Sequence, residues 1–168
     1  MSWVKAFLAG IAGAVLMTVM MSIVIYGGGF RVLDFSMMWG TLVGLPKGGV
    51  AWIVGFVIHL IVGGLFALIY AALFKAFSGA GLMRGGIFGI GHALVTGVII
   101  ALLPLVHPLM ETGRMLSPGP YFSHEGIAGI LFYFFLHIVY GGTVGWLYAR
   151  QVPGARQISN SDDLRIAA

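Results

Sequence analysis

The chain has 168 residues, of which 60% are hydrophobic and only 8% are charged. Soluble domains carry about 25% charged residues, so this composition excludes an ordinary soluble domain and indicates an integral membrane protein. The sequence has no cysteine, which excludes disulfides and thiolate chemistry, and its net charge of +4 forms no basic patch for nucleic acid.

Four segments are apolar over the length of about 20 residues that a membrane-spanning helix needs. They cover residues 3–26, 50–74, 85–106 and 127–148. We therefore predict an all-α membrane fold, with a four-helix transmembrane domain over residues 1–150. A polar cytoplasmic tail is predicted over residues 151–168.

The basic residues near the ends of these segments predict the orientation of the protein, because Lys and Arg concentrate on the cytoplasmic side. Five basic residues fall on the same side as the amino terminus: Lys5, Lys75, Arg84, Arg150 and Arg156. Three fall on the other side: Arg31, Lys47 and Arg114. We predict that both termini face the inside of the cell.

The connections between the spans differ in length. The short one, at 75–84, contains Ser78-Gly79-Ala80-Gly81 and predicts a tight antiparallel hairpin of the second and third helices. The long ones, at 27–49 and 107–126, are too apolar for free exposure to water. We expect them to fold back over the bundle as short interfacial helices, with Trp39 and Tyr121 at headgroup depth.

One motif occurs twice in the chain. His59-Leu60-Ile61-Val62-Gly63-Gly64 recurs 78 residues later as His137-Ile138-Val139-Tyr140-Gly141-Gly142. We predict two tandem helix-loop-helix repeats, at about 3–74 and 85–149. With an even number of spans in each copy, the second and fourth helices are parallel, and His59 and His137 lie at the same depth.

Every predicted helix also carries a stripe of small residues at every fourth position. The stripes are Ala6, Gly10, Ala14, Thr18 and Ser22; Gly55, His59, Gly63, Ala67 and Ala71; Gly85, Gly89, Ala93, Gly97 and Ala101; and Gly129, Tyr133, His137, Gly141, Gly145 and Ala149. Such stripes let helix backbones approach closely in lipid. They favour helix packing, either within the chain or with other membrane subunits.

An ionisable side chain inside a membrane span indicates a functional site by default. For His59 and His137 the alternatives are a packed imidazole that hydrogen-bonds to a neighbouring helix, and axial ligation of a b-type haem. In the second case Gly63 and Gly141 would clear space for the porphyrin. His92 does not belong to the repeated pair, and we expect it to lie a turn or two nearer the inner face and to be a packing residue.

The second long loop contains a further candidate site. His107, Glu111, His124 and Glu125 are residue types that bind zinc, iron or manganese, so an outer-face metal site is a hypothesis. Pro108 makes His107 a candidate helix cap. Methionines in both long loops, among them Met37, Met38, Met110 and Met115, leave copper(I) as another alternative.

Several segments resemble a broad group of small bacterial four-helix membrane proteins of unknown function. They are Gly55-Phe56-Val57-Ile58-His59, Gly63-Gly64, Tyr70-Ala71, Arg84-Gly85-Gly86-Ile87-Phe88-Gly89 and Leu103-Pro104-Leu105. The resemblance spans about residues 6–150. It implies a four-helix fold in a bacterial inner membrane, and it supplies no activity and no catalytic residues.

From these observations we expect a non-catalytic integral membrane protein that acts as a subunit or homo-oligomer of a membrane assembly. Its expected partners are the lipid bilayer and other membrane subunits or copies of itself, and not nucleic acid. The alternatives are an electron carrier with haem b on His59 and His137, and an outer-face metal-binding protein.

Overall fold

The computed structural model describes residues 1–27, 30 and 34–152. Of the residues used above, Arg31, Arg156 and the tail from 153 onward lie outside this part of the chain. Helices are the regular secondary structure of the described residues, which contain no strands. The helices are α1 (Trp3–Tyr26), α2 (Phe35–Leu42), α3 (Gly49–Ala76), α4 (Leu82–Leu102), α5 (Pro108–Glu111) and α6 (Gly126–Gln151).

The predicted membrane spans are confirmed as helices. Four helical segments are long and apolar enough to cross a bilayer, namely Trp3–Tyr26, Gly49–Ala76, Leu82–Leu105 and Pro120–Gln151. The last two include 3-10 turns at Leu103–Leu105 and Pro120–Glu125. The long connections meet at one end of the bundle, which we call the loop end. The first of them contains α2, as expected.

The turn after α3 is set by local hydrogen bonds. Gly79 N–H donates to the Phe74 carbonyl at 2.8 Å and Ser78 N–H donates to the Lys75 carbonyl at 3.3 Å. These are the two bonds of a Schellman motif, which closes the carboxyl end of a helix. Ser78 occupies the left-handed position with φ 55°. The chain therefore reverses direction before α4 begins at Leu82.

The tight hairpin predicted for the second and third spans is wrong. α1 packs between α3 and α6, and α6 packs between α1 and α4, whereas α3 has only sparse contacts with α4. The physical reason is that the small residues of α3 face α1 and those of α4 face α6. We call the α1/α3 and α4/α6 interfaces the closed seams, and the side between α3 and α4 the open seam.

Glycines form the closed seams. A Cβ atom on Gly85 would overlap the carbonyl oxygen of Gly141, and one on Gly10 would overlap that of Gly63. Such positions hold glycine because the facing backbone occupies the space of a side chain. The repeated small-residue stripes are therefore used inside the chain.

Aromatic rings fill the open seam near the turn instead. Phe66 stacks on His92 with 4.0 Å between ring centroids, and the Phe88 ring lies 5.4 Å from Phe74 and 6.1 Å from Tyr70. These rings separate α3 from α4 by the thickness of side chains. The spacing leaves room for a cavity farther toward the loop end.

Candidate functional site

A cavity of about 160 Å³ lies inside the bundle between its middle and the loop end. We call it the histidine cavity, because the three intramembrane histidines line it. The remaining walls are largely aliphatic and aromatic. The lining residues are Met17, Met21, Phe35, Trp39, His59, Val62, Gly63, Phe66, His92, Thr96, Ile99, Ile100, Leu103, Phe122, Tyr133, Leu136, His137 and Tyr140.

His59 is held by α1. Its Nδ1 lies 2.9 Å from Thr18 Oγ1, and that hydroxyl lies 3.0 Å from the Ala14 carbonyl oxygen. Because a carbonyl only accepts, the Thr18 hydroxyl donates to Ala14 and accepts from His59 Nδ1–H. His59 Nε2 is then an acceptor, and it has no hydrogen-bond partner among the described residues. The His59 ring lines the cavity.

His137 is held on both sides of its ring. Nδ1 donates to the Tyr133 carbonyl at 2.9 Å, and Nε2 lies 3.2 Å from Thr96 Oγ1, whose hydroxyl also donates to the His92 carbonyl at 2.8 Å. The Tyr133 hydroxyl lies 2.6 Å from Thr96 Oγ1 and 3.0 Å from the Ala93 carbonyl oxygen. Tyr133, Thr96 and His137 therefore form a hydrogen-bonded chain between α4 and α6.

His92 contacts His137 directly, which corrects the expectation that a turn or two would separate them. Its ring centroid is 4.9 Å from that of His137 in an edge-to-face contact. His92 Nδ1 shares a hydrogen bond of 3.3 Å with the Tyr70 hydroxyl, in which the tautomer of His92 decides which group donates. The packing role is supported by the stack on Phe66 at 4.0 Å.

Residues of both long loops roof the cavity at the loop end. The Phe35 ring on α2 lies edge-on to His59, with centroids 5.3 Å apart, and edge-on to Trp39 at 5.7 Å. Phe122, from the second long loop, stacks on Tyr133 at 5.5 Å. Within the described chain, Trp39 Nε1 is the buried side-chain nitrogen or oxygen that lacks a hydrogen-bond partner.

The glycines assigned to a porphyrin pocket have other neighbours. Gly63 lines the cavity, but its Cα side faces α1, where a Cβ would lie 2.7 Å from the Ala14 methyl group. Gly141 faces Gly85 and Gly89 of α4. These contacts close the helix seams and do not clear space beside His59 or His137.

The four candidate metal ligands are dispersed among other contacts. His107 is fully buried and caps α5, as expected; its Nδ1 accepts from Leu109 N–H at 3.3 Å and its Nε2 lies 3.1 Å from the Met38 carbonyl oxygen. His124 Nδ1 lies 2.6 Å from the Ser117 carbonyl oxygen. Glu111 is exposed and Glu125 is half-buried. Among the described residues no group of three or more His, Asp or Glu side chains could hold a metal ion, so these four form no ligand set here.

The loop methionines come together at the surface of the loop end. Met37, Met38, Met110 and Met115 line a second pocket of about 370 Å³. Lys47 and Arg114 line the same pocket. The two cationic side chains oppose the binding of a copper(I) ion there.

No protein-family model, no curated protein and no solved structure matches this chain. Its function therefore has to be argued from its own geometry. Sequence inspection did not find Trp39 and Phe122 as parts of the site. Thr96 was visible in the sequence as a polar residue near the histidines, because it lies 78 residues after Thr18 and four after His92.

Proposed function

We propose that this protein is a non-catalytic, multi-pass membrane protein that binds a small apolar molecule from the bilayer in the histidine cavity. The observation that carries the proposal is the position of Ile99 on α4. Its side chain lines the cavity and is also 52% exposed on the outside of the bundle, at the open seam. Ile99 therefore separates the cavity from the surface that faces lipid, and we place the entrance of the cavity at this side chain.

The chemistry of the walls favours an apolar ligand. Ligand pockets are typically lined by apolar and aromatic side chains with a few placed polar groups. The histidine cavity has this composition, and the imidazoles of His59 and His92 each keep one nitrogen that has no hydrogen-bond partner among the described residues. Asp, Glu, Lys and Arg side chains, which would recognise a charged substrate, are not among its lining residues.

Binding of methylnaphthalene, a small apolar ring compound, tests the proposal. We expect the purified protein to bind it in equilibrium dialysis above the uptake of protein-free micelles of the same detergent. Ile99→Trp places a large ring at the opening and should abolish this excess. Ile90→Trp is the matched control, because Ile90 is exposed on the same helix and does not line the cavity. Equal excess in all three proteins, or none in the wild type, would contradict the proposal.

The setting we propose is a bacterial inner membrane with both termini in the cytoplasm. The distribution of Lys and Arg supports this orientation. The two-repeat arrangement is supported by a shared contact, because Thr18 contacts His59 and Thr96 contacts His137 across the same separation of 41 residues. The ring nitrogens differ, being Nδ1 in the first pair and Nε2 in the second.

Association with other membrane subunits or with a second copy remains part of the proposal. Its support is now the apolar outer surface and no longer the glycine stripes, which pack within the chain. Exposed Gly91 is the glycine of α4 with free space around it. Chemical crosslinking in native membranes tests this part, with a crosslinked dimer as the expected result and a monomer at every crosslinker concentration as the contrary one.

A b-type haem is the second candidate occupant. One observation favours it: Nδ1 of both His59 and His137 is bonded within the protein, as is usual for histidines that bind a metal through Nε2. Binding would require His137 to release Thr96 and to separate from the His92 ring. A Soret band in protein from haem-replete cells, lost in both His59→Ala and His137→Ala, supports haem; a colourless preparation excludes it.

A further inference from the structure

The imidazole of His59 has one nitrogen that the protein does not use. Its Nδ1 lies 2.9 Å from Thr18 Oγ1, whereas Nε2 has no hydrogen-bond partner among the described residues. The residue as a whole is buried, with 6% of its surface exposed. A polar atom left unpaired inside a membrane span is costly, because water does not solvate it in the hydrocarbon region.

Nε2 of His59 opens onto the histidine cavity. Among the described residues, Trp39 Nε1 is the partnerless side-chain nitrogen that protein atoms enclose completely. His59 Nε2 also lacks a partner but is not enclosed in this way, so it borders open space. The open space beside the His59 ring is the cavity that this ring lines. A ligand in the cavity can therefore reach Nε2.

The chemistry of an imidazole nitrogen selects among apolar ligands. Nε2 accepts a hydrogen bond when Nδ1–H donates to the Thr18 hydroxyl, and it would donate in the other tautomer of His59. A hydroxyl group pairs with Nε2 in both cases, because it both donates and accepts. A carbonyl or ether oxygen only accepts, and a hydrocarbon does neither. An apolar molecule with a hydroxyl group therefore satisfies this nitrogen.

The walls beside His59 suit an aromatic ring. The Phe35 ring lies edge-on to His59 with centroids 5.3 Å apart, and the Phe122 ring lies 6.2 Å from Phe35. Both phenyl rings line the cavity. Stacking and edge-to-face contacts with such side chains stabilise an aromatic ligand beyond the burial of its surface.

We propose that the histidine cavity binds a lipophilic phenol, a flat aromatic ring whose hydroxyl group forms a hydrogen bond with His59 Nε2. This inference rests on the proposed function, since it names the chemical class of the apolar molecule that enters at Ile99. The bond gives the unused nitrogen of His59 a partner, and the ring of the ligand fills the space between the phenyl groups.

A matched pair of compounds separates the hydroxyl group from the ring. In 2-naphthol a hydroxyl group replaces the methyl group of 2-methylnaphthalene on the same fused ring skeleton. Equilibrium dialysis against protein-free micelles gives the affinity of the protein for each compound, after correction for partitioning into detergent. The ratio of the two affinities reports on the hydroxyl group, because the ring is common to both. We expect the wild-type protein to bind both compounds.

His59→Phe is the decisive variant. It keeps a flat ring beside Phe35 and removes both ring nitrogens, so the ratio of naphthol to methylnaphthalene affinity should fall about fivefold, as the loss of one neutral hydrogen bond implies. Thr18→Val is the matched control, because it removes the same bond between Thr18 and His59 but leaves Nε2 in place. We expect Thr18→Val to keep the wild-type ratio, even where it lowers the unfolding temperature.

His92→Phe tests the other imidazole with an unused nitrogen. It keeps a ring to stack on Phe66, and we expect it to keep the wild-type ratio as well. His59→Leu replaces His59→Phe in the comparison if the phenyl ring closes the cavity to both compounds.

The outcomes separate this assignment from the proposed function. If methylnaphthalene binds the wild-type protein but naphthol does not, or if loss of the His59 imidazole leaves the ratio unchanged, the phenol assignment is wrong and the proposed function stands. An equal fall of the ratio in Thr18→Val or His92→Phe would also overturn the assignment to His59 Nε2. If neither compound binds the wild-type protein, the assignment fails together with the proposed function.

Discussion

The closed seams and the open seam are formed by the same kind of helix, but they differ in what lies between the helices. In the closed seams, backbone lies against backbone, as at Gly85 and Gly141 or at Gly10 and Gly63. In the open seam, rings such as Phe66 and His92 stand between α3 and α4. Both arrangements bury apolar surface, but only the second leaves space between helices for a cavity and for the entrance that we propose.

The difference shows that residue size at the interface, and not hydrophobicity, decides which helices touch. Lipid is as apolar as a leucine side chain, so membrane helices associate through close packing and hydrogen bonds. α3 and α4 are neighbours in the chain and joined by a short turn, yet each directs its small residues to another partner. Covalent proximity is therefore a weak guide to packing in this fold.

Substitution in a closed seam should have the largest effect. In Gly85→Ala the new methyl group overlaps the Gly141 carbonyl oxygen, so the helices must move apart. Overpacking of this kind costs about 1–3 kcal/mol or more. We expect a large drop in the thermal unfolding temperature in detergent.

Gly91→Ala on the same helix is its control, because a Cβ there meets nothing within 4 Å. Alanine favours the helix over glycine by up to about 1 kcal/mol, so this variant should be at least as stable as the wild type. Similar losses in Gly85→Ala and Gly91→Ala would show that the seam is not closed by backbone contact.

Tyr140 tests the place where a closed seam borders the cavity. Its hydroxyl donates to the Gly63 carbonyl from α6 to α3, and its ring lies beside Gly13 of α1. Hydrogen bonds between membrane helices contribute about 0.6–1.7 kcal/mol, so Tyr140→Phe should lower the unfolding temperature moderately. Tyr26→Phe, at a residue 72% exposed, should leave it unchanged, and a loss there of equal size would refute the assignment.

Enlarging a residue of the open seam should be tolerated. Ile99→Trp puts its ring into the opening and toward lipid, where no backbone blocks it, so we expect an unfolding shift equivalent to less than about 0.5 kcal/mol. Circular dichroism on heating measures it. A destabilisation as large as that of Gly85→Ala would mean that α3 and α4 are in close contact in the membrane.

We expect the smallest change in stability at Asp34, which caps α2 by accepting from Met37 N–H at 2.9 Å. Burial raises the pKa of this carboxyl above its usual value, although the bonds from Met37 and Trp52 act in the opposite direction. The folded state therefore holds the proton more tightly than the unfolded state. Stability should rise as the pH falls through the raised pKa and decrease as the pH increases through it.

Asp34→Asn keeps an oxygen for the cap and removes the titration. We expect the difference in unfolding temperature between this variant and the wild type to be greatest at neutral pH, in favour of the variant, and to shrink on acidification. A difference that stays constant between neutral pH and pH about 4, near the ordinary pKa of an aspartic acid, would contradict the raised pKa.

Hydropathy was sufficient to predict the four spans. The third began at 85 in the prediction and begins at Leu82 in the structure, and the second extends from Gly49 to Ala76 where 50–74 was predicted. A helix in lipid must make all its backbone hydrogen bonds within the segment. Such helices therefore appear in the sequence as long apolar runs. The small-residue stripes were also visible, because spacing alone defines them.

The pairing of the stripes was not predictable in the same way, since every helix carries one and the sequence does not say which two meet. The place of His92 depends on that pairing, because it reaches His137 only when α4 packs on α6. Trp39 lies at the site because of the path of the first long loop. No periodic pattern in the sequence predicts the path of a loop. Likewise, His107 looked like a metal ligand in sequence, but it is used to cap α5 and to bond to α2.

Photolabelling in the native membrane tests the opening of the histidine cavity to lipid most directly. An adamantane diazirine dissolved in the bilayer inserts into the side chains it reaches, and mass spectrometry of peptides locates the label. We expect label on Tyr133 and His137, which are 2% and 7% exposed but line the cavity, as well as on outward residues such as Ile90. Label restricted to the outward residues, with Tyr133 and His137 unmodified, would contradict the account.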